Sequence, residues 1–251
     1  MSGHSKWSTI KRKKAGIDAA RGKKFTKLIR EITVSAREGG GDPDANPRLS
    51  LAIENAKAEN MPKDNIERAL KKGTGDLDSG SSFEEVTYEG YGPGGIAYFI
   101  ECTTDNLNRT VGDIRHILTK YGGNLGTNGS VSYLFEQKGV ISIPEENVDE
   151  DDVMLTAIDA GAEDVNTEED MIVVTTSRED LYTVRKELEK AGYKIKAAEL
   201  QRIPMTNVKV APDTALSNFK LMDNLEDNDD VSNVFNNMEM DEETVAVAEK
   251  L

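Results

Sequence analysis

One cysteine, Cys102, and two histidines, His4 and His116, stand in a chain of 251 residues. A single thiol forbids an intrachain disulfide, and so few imidazoles cannot assemble a Cys/His zinc site. Both absences fit a reducing cytosol. Aromatic residues are only 6% of the chain, with Trp7 the sole tryptophan, which is low for one large core around a bulky apolar cofactor. No apolar run approaches the ~18 residues of a membrane-spanning helix, so no membrane is expected. The opening Met1-Ser2-Gly3-His4-Ser5-Lys6-Trp7 lacks the apolar stretch of a secretory signal. What remains is a cytoplasmic protein of one large domain or two to three small ones.

Charge is plentiful and unevenly placed. The chain has 31 Lys+Arg against 46 Asp+Glu, a net charge of -15. Residues 1–75 carry 17 basic and 9 acidic groups, net plus 8; residues 76–251 carry 14 and 37, net minus 23. Residues 1–38 alone hold 11 basic and 3 acidic groups, which accounts for the whole surplus. A polyanion is attracted to such a head and repelled by the rest, so contact with nucleic acid is expected at one end only.

The basic end has helical periodicity. From Phe25, apolar residues recur at Leu28, Ile29, Ile32 and Ala36, and Lys23, Lys27, Arg30 and Arg37 fall on the opposite side. Gly39-Gly40-Gly41 stops this helix. Asn46-Pro47 caps a second one with Leu49, Ala52, Ile53 and Ala56 inward, and Asn60-Met61-Pro62 restarts a third with Ile66, Ala69 and Leu70. Three short amphipathic helices predict a small bundle over 23–75. Residues 1–22 lack an apolar face and read as a basic arm.

After a Gly/Ser/Asp linker, a strand ending near Tyr88, the turn Gly90 to Gly95 and a buried strand Ile96 to Cys102 follow. Asn106 caps a helix carrying Val111, Ile114 and Leu118, and Ser130 to Phe135 reads as another strand. The order strand 140–143, helix 151–160, strands 163–166 and 171–176, helix 181–191, strand 193–203 is β-α-β-β-α-β, the ferredoxin-like arrangement. A helix at 215–225 and a strand at 231–236 have no neighbours in sequence to pair with, so they are expected to return to the sheet of 83–137. The predicted fold is therefore α+β: a basic arm (1–22), a helical domain (23–75), a discontinuous α+β domain (83–137 plus 205–238), an inserted ferredoxin-like domain (138–204) and a frayed acidic tail (239–251).

Catalytic and ligand motifs fail on inspection. Gly90-Tyr91-Gly92-Pro93-Gly94-Gly95 matches G-x-G-x-x-G, but a strand follows where a dinucleotide site needs a helix N-terminus. Gly16 to Lys24 resembles a phosphate-binding loop with wrong spacing and with Lys24 where Ser or Thr should hold magnesium. Asp42, Asp44 and Asn46 start like a calcium loop, but Pro47 replaces the turn glycine and Ile53 the bidentate Glu. His116 sits in a helix without an evident nucleophile partner, and Asp149 to Asp152 complement a helix N-terminus. No enzyme, metal or cofactor is expected.

Several strings carry a specific resemblance. Gly3-His4-Ser5-Lys6-Trp7, Phe25 to Ile32, Gly41-Asp42-Pro43, Asn46-Pro47-Arg48-Leu49, Asn60 to Ala69, Tyr88 to Gly95 and Thr104-Asp105-Asn106 followed by Asn108-Arg109-Thr110 closely resemble the YebC family. Two positions depart from it: Leu107 and Ser50 stand where many members have Arg. The resemblance implies a helical N-terminal domain, an α+β domain and a ferredoxin-like domain inserted in the second. It also implies a regulator of gene expression: a DNA-binding transcriptional regulator in some members, a factor acting on the ribosome to relieve stalling in others.

The residues expected to meet phosphate are Lys6, Lys11, Arg12, Lys13, Lys14, Arg21, Lys23, Lys24, Lys27, Arg30 and Arg37, with Trp7 either stacking on an unpaired base or anchoring the bundle. Arg109 and Arg115 are secondary candidates whose commoner role is helix-surface solubility. The basic helix has no Asn or Gln on its stripe to read adenine edges, which favours RNA recognised by shape and backbone over sequence-specific DNA. The expected partners are ribosomal RNA or DNA, with basic ribosomal proteins beside the acidic domains. A protein-interaction adaptor is the alternative from a different class. The pattern sets no oligomeric state.

Overall fold

The computed structural model describes residues 17–76, 82–146, 148–168 and 170–250, the first five by their backbone. The fold is α+β, with two four-stranded sheets. By contact the described residues group into two compact units, one of residues 17–27, 82–136 and 202–250, the other of 28–76 and 137–201.

Helix α1 (Ile17–Gly39) is longer than the pattern predicts, and it already includes residues assigned to the arm. Its second half is buried on more than one side: Ile32, Val34 and Ala36 are covered, and so are Thr33 and Ser35. Polar residues are tolerated there because their hydroxyls are bonded. Thr33 donates to the Ile29 carbonyl of its own helix, and Ser35 to the Glu31 carboxylate. Helices α2 (Pro47–Ala58) and α3 (Lys63–Thr74) follow as expected, with the Asn46 side chain accepting from the Leu49 amide as N-cap. Gly73 of α3 lies against α1 so closely that a Cβ there would stand 2.4 Å from the Thr33 carbonyl, so only glycine permits this packing.

The first unit is built on strands β1 (Glu84–Tyr91) and β2 (Ala97–Thr104), helix α4 (Leu107–Lys120), the two-residue strand β3 (Asn124–Leu125), helix α7 (Pro212–Glu226), strand β8 (Val231–Asn236) and helix α8 (Glu242–Ala248). The sheet order is β3-β1-β2-β8. The late strand β8 runs antiparallel to β2, the return predicted for an isolated strand. Alternation along β2 sends Tyr98, Ile100 and Cys102 into a core with α4 and α7. It sends Ala97 and Phe99 to the other face, with Val131, Phe135 and Phe235. The turn from β1 to β2 is a 3-10 turn at Pro93–Gly95 leading straight into a strand, so the glycine string is a hairpin. A Cβ at Gly92 would stand 2.5 Å from the Tyr98 ring, which explains a glycine there.

Two expectations are corrected in this unit. Residues 130–135 are not a strand: a 3-10 turn occupies Ser132–Leu134, and strand β4 (Phe135–Pro144) begins only at Phe135. The Glu89 carboxylate takes the amides of Gly129, Val131 and Ser132, so those donors cannot join a ladder. The C-terminal segment is not frayed through 242–248 either. Helix α8 is capped by Asp241, buries Ala248 and packs Val245 and Val247 on the α7 core. Asp241 pairs with Lys209 and accepts the Thr244 amide, which together hold its carboxyl down to about 2.

In the second unit, β4, helix α5 (Glu150–Asp159), strands β5 (Asp164–Glu168) and β6 (Met171–Thr176), helix α6 (Leu181–Lys190) and strand β7 (Ala197–Pro204) form a sheet of order β5-β6-β4-β7. That is the ferredoxin-like β-α-β-β-α-β topology. Its core joins Ile141, Ile143, Ile172 and Val174 to Val153 and Ala157 of α5 and Val184 and Leu188 of α6. Helix α2 packs on this core through Leu51. Asn55 of α2 acts as a substitute strand for β7: its Nδ2 donates to the Ala198 carbonyl at 2.8 Å, and the Ala198 amide donates to its Oδ1 at 3.2 Å. Asn55→Ala leaves both Ala198 groups without that partner. It is expected to lower stability by about 1–3 kcal/mol in denaturant unfolding; an unchanged midpoint would mean that water replaces the amide fully.

Candidate nucleic-acid interface

Of the residues expected to bind phosphate, Lys6, Trp7, Lys11, Arg12, Lys13 and Lys14 lie outside the described residues, and Arg21 is described by backbone only. The remaining five lie along α1 and differ in environment. Lys24 and Arg37 are exposed; Lys27 and Arg30 are half-buried. Lys23 Nζ lies 3.0 Å from Asp227 Oδ1, and Lys27 Nζ donates to the Glu226 carbonyl at 2.9 Å. A Lys27→Glu substitution therefore sets a carboxylate against the carbonyl end of α7, and its effect on binding would be mixed with damage to the fold. Lys24 and Arg37 are the more exposed positions for charge reversal, Arg37 lying 3.9 Å from Glu38.

The second candidate group separates into two different residues. Arg115 is exposed on α4. Arg109 is engaged within the fold: Nη2 reaches Asp230 Oδ2 at 2.7 Å and Asp105 Oδ1 at 2.8 Å, and Nε reaches Asp230 Oδ2 at 3.1 Å. Asp230, 4% exposed, also accepts the hydroxyls of Thr104 and Thr110. Arg109 thus ties the start of α4 to the residue before β8, and Asp230 was invisible to sequence reasoning because it lies more than a hundred positions away.

Glu89 is the other missed residue. Burial alone would raise its pKa, but three backbone amides at 2.7–2.8 Å outweigh it and hold the carboxyl below its ordinary value. With the Tyr91 hydroxyl donating to the Ser130 carbonyl, this fixes the loop 126–132 against β1. Burial, with Asp230 adding, pushes the Cys102 thiol up to about 12, so it stays protonated at neutral pH. His116 is exposed on α4, and no group of metal-ligating side chains occurs among the described residues. No described helix is long and apolar enough to cross a membrane.

Residues 5–76 match the model of the TACO1/YebC protein N-terminal domain, and residues 83–238 match that of the TACO1/YebC second and third domain. The chain belongs to the TACO1/YebC family. A relative from Persephonella marina named "Probable transcriptional regulatory protein" is 58% identical over 245 residues, 97% of this chain and 98% of that one. One of the same name from Geotalea uraniireducens is 58% identical over 243 residues, again 97% and 98% of the two chains. The crystal structure of a conserved hypothetical protein from Aquifex aeolicus superposes with a TM-score of 0.85 at 50% identity, covering 91% of this chain and 94% of that one. Within this TACO1/YebC chain 11 of the 31 basic residues lie in residues 1–38, at the start of the N-terminal domain.

Proposed function

We propose that this protein is a non-enzymatic regulator of gene expression that binds nucleic acid through its basic N-terminal end, with ribosomal RNA as target. The observation that carries the reading is charge segregation: net plus 8 within residues 1–38, and net minus 23 from residue 76 onward. The basic residues neutralise phosphates, which positions the protein without reading sequence. A duplex repels the acidic remainder, whereas a ribosome presents basic proteins beside its RNA and so has a place for it. The residues act by charge and position; no bond is made or broken.

The names of the relatives favour a transcriptional regulator, for which DNA is the alternative target, and competition separates the two. The protein is expected to sediment with ribosomes at moderate salt, and to prefer a promoter fragment to scrambled duplex by far less than the roughly 10³-fold typical of specific recognition. Three orders of magnitude of promoter preference without ribosome association would overturn the ribosomal reading. One observation favours the adaptor alternative: Leu155 and Ile158, 64% and 54% exposed, sit on α5 within residues 145–170, which hold 12 acidic residues and no Lys or Arg. If Leu155→Ser with Ile158→Ser abolishes ribosome association while loss of the basic end does not, the adaptor reading takes its place.

A further inference from the structure

The contacts of Lys23 and Lys27 converge on one place, the carbonyl end of α7. The chain continues there as Glu226-Asp227-Asn228-Asp229, before Asp230 with its Arg109 partner, with Asp223 one turn before Asp227, and no Lys or Arg occurs between Lys220 and Lys250. The helix dipole adds partial negative charge at the same end. The oxygens offered to the two ammonium groups, a carboxylate at 3.0 Å and a carbonyl at 2.9 Å, stand at the distances at which an ammonium group bonds a phosphate oxygen. The Lys23–Asp227 pair is open to solvent, with the side chains 45% and 62% exposed, so a competing anion can reach it.

We propose that this acidic turn is an internal competitor for the nucleic acid: it occupies Lys23 and Lys27 in the free protein, and a phosphate backbone displaces it on binding. The inference rests on the basic end being the nucleic-acid interface. An exposed ion pair is weak, so the latch yields readily to a polyanion that makes several contacts at once. Its consequence is a lowered affinity for short or weakly charged ligands. Salt loosens the latch as well as the phosphate contacts, so the affinity of the intact protein falls less steeply with salt than that of an unlatched variant.

Asp227→Asn in the full chain tests this, with binding to a mixed-sequence RNA hairpin followed by fluorescence anisotropy. Asp213→Asn is the control. It removes the same charge from the exposed first turn of α7, about 20 Å away along the helix and beyond the ~10 Å screening length at 0.1 M salt. Asp227→Asn is expected to tighten binding roughly two- to fivefold with a steeper salt dependence, and Asp213→Asn to change it little. In a Lys23→Ala background the gain should shrink toward none. Equal gains from both variants, or a full gain in the Lys23→Ala background, would overturn the latch and leave the interface standing. If deletion of residues 1–16 and Lys23→Ala both leave affinity unchanged, the interface itself is wrong and the latch falls with it.

Discussion

Deletion of residues 1–16 is expected to lower affinity for a mixed-sequence duplex by about a hundredfold at 0.1 M salt. The segment holds five cations, Lys6, Lys11, Arg12, Lys13 and Lys14. Each phosphate contact on duplex DNA adds about 0.9 to the slope of log affinity against log salt, or roughly eightfold between 1 M and 0.1 M. Two or three contacts among the five therefore suffice for the hundredfold loss, and the slope should fall by about 2. The cut ends before α1, so the contacts of Lys23 and Lys27 are retained and the thermal transition should hardly move. Lys24→Glu with Arg37→Glu should act in the same direction from two exposed positions of α1. Affinity and slope both unchanged after the deletion would place nucleic-acid binding elsewhere.

Glu89→Ala is expected to be among the most destabilising single substitutions. It removes the acceptor of three backbone amides, that of Val131 buried and those of Gly129 and Ser132 part-buried, at a residue 5% exposed, and a buried donor left unpaired costs about 1–3 kcal/mol. A total of about 3–5 kcal/mol, after some rescue by water, corresponds to a fall in melting temperature of roughly 6–20 °C for a chain of this size. Glu89→Gln should cost less, because one oxygen still accepts while the amide nitrogen faces donors. The carboxyl titrates lower in the folded than in the unfolded chain. Its contribution is therefore present above the unfolded value and is lost as pH falls through the folded one, so the gap between wild type and Glu89→Gln should narrow in acid. A constant gap from neutral pH to pH 3 would show that the ionised carboxylate is not what holds the loop.

Much of the architecture was legible because the signals are local. Asn46 and Asn106 are caps, Asn60-Met61-Pro62 is a break, and Ile96 to Cys102 is a buried strand; each is read from neighbours within a few positions and each is found, the strand at Ala97–Thr104. The mistakes share a different origin. Ser130 to Phe135 has strand composition, yet Glu89, some forty positions earlier, takes its amides and turns it into a 3-10 loop. The acidic C-terminal segment looks too polar to fold, yet three small apolar residues suffice once the α7 core is there to receive them. The basic stripe of Lys23, Lys27, Arg30 and Arg37 is legible as a stripe, but that Lys23 meets Asp227 and Lys27 the Glu226 carbonyl is not.

By itself the sequence determined most of the secondary structure, the ferredoxin-like order of the second sheet, the family and the concentration of positive charge in residues 1–38. These depend on periodicity, turn chemistry and composition, which act over a few residues or over none in particular. Only the tertiary structure decided which charges are already balanced. Arg109 meets Asp230, Lys23 meets Asp227, and Glu89 meets three amides of a distant loop. A charge announces itself in sequence, but its partner is chosen by the packing of helices and strands far apart in the chain, and the free energy of an ion pair depends on that distance and on burial.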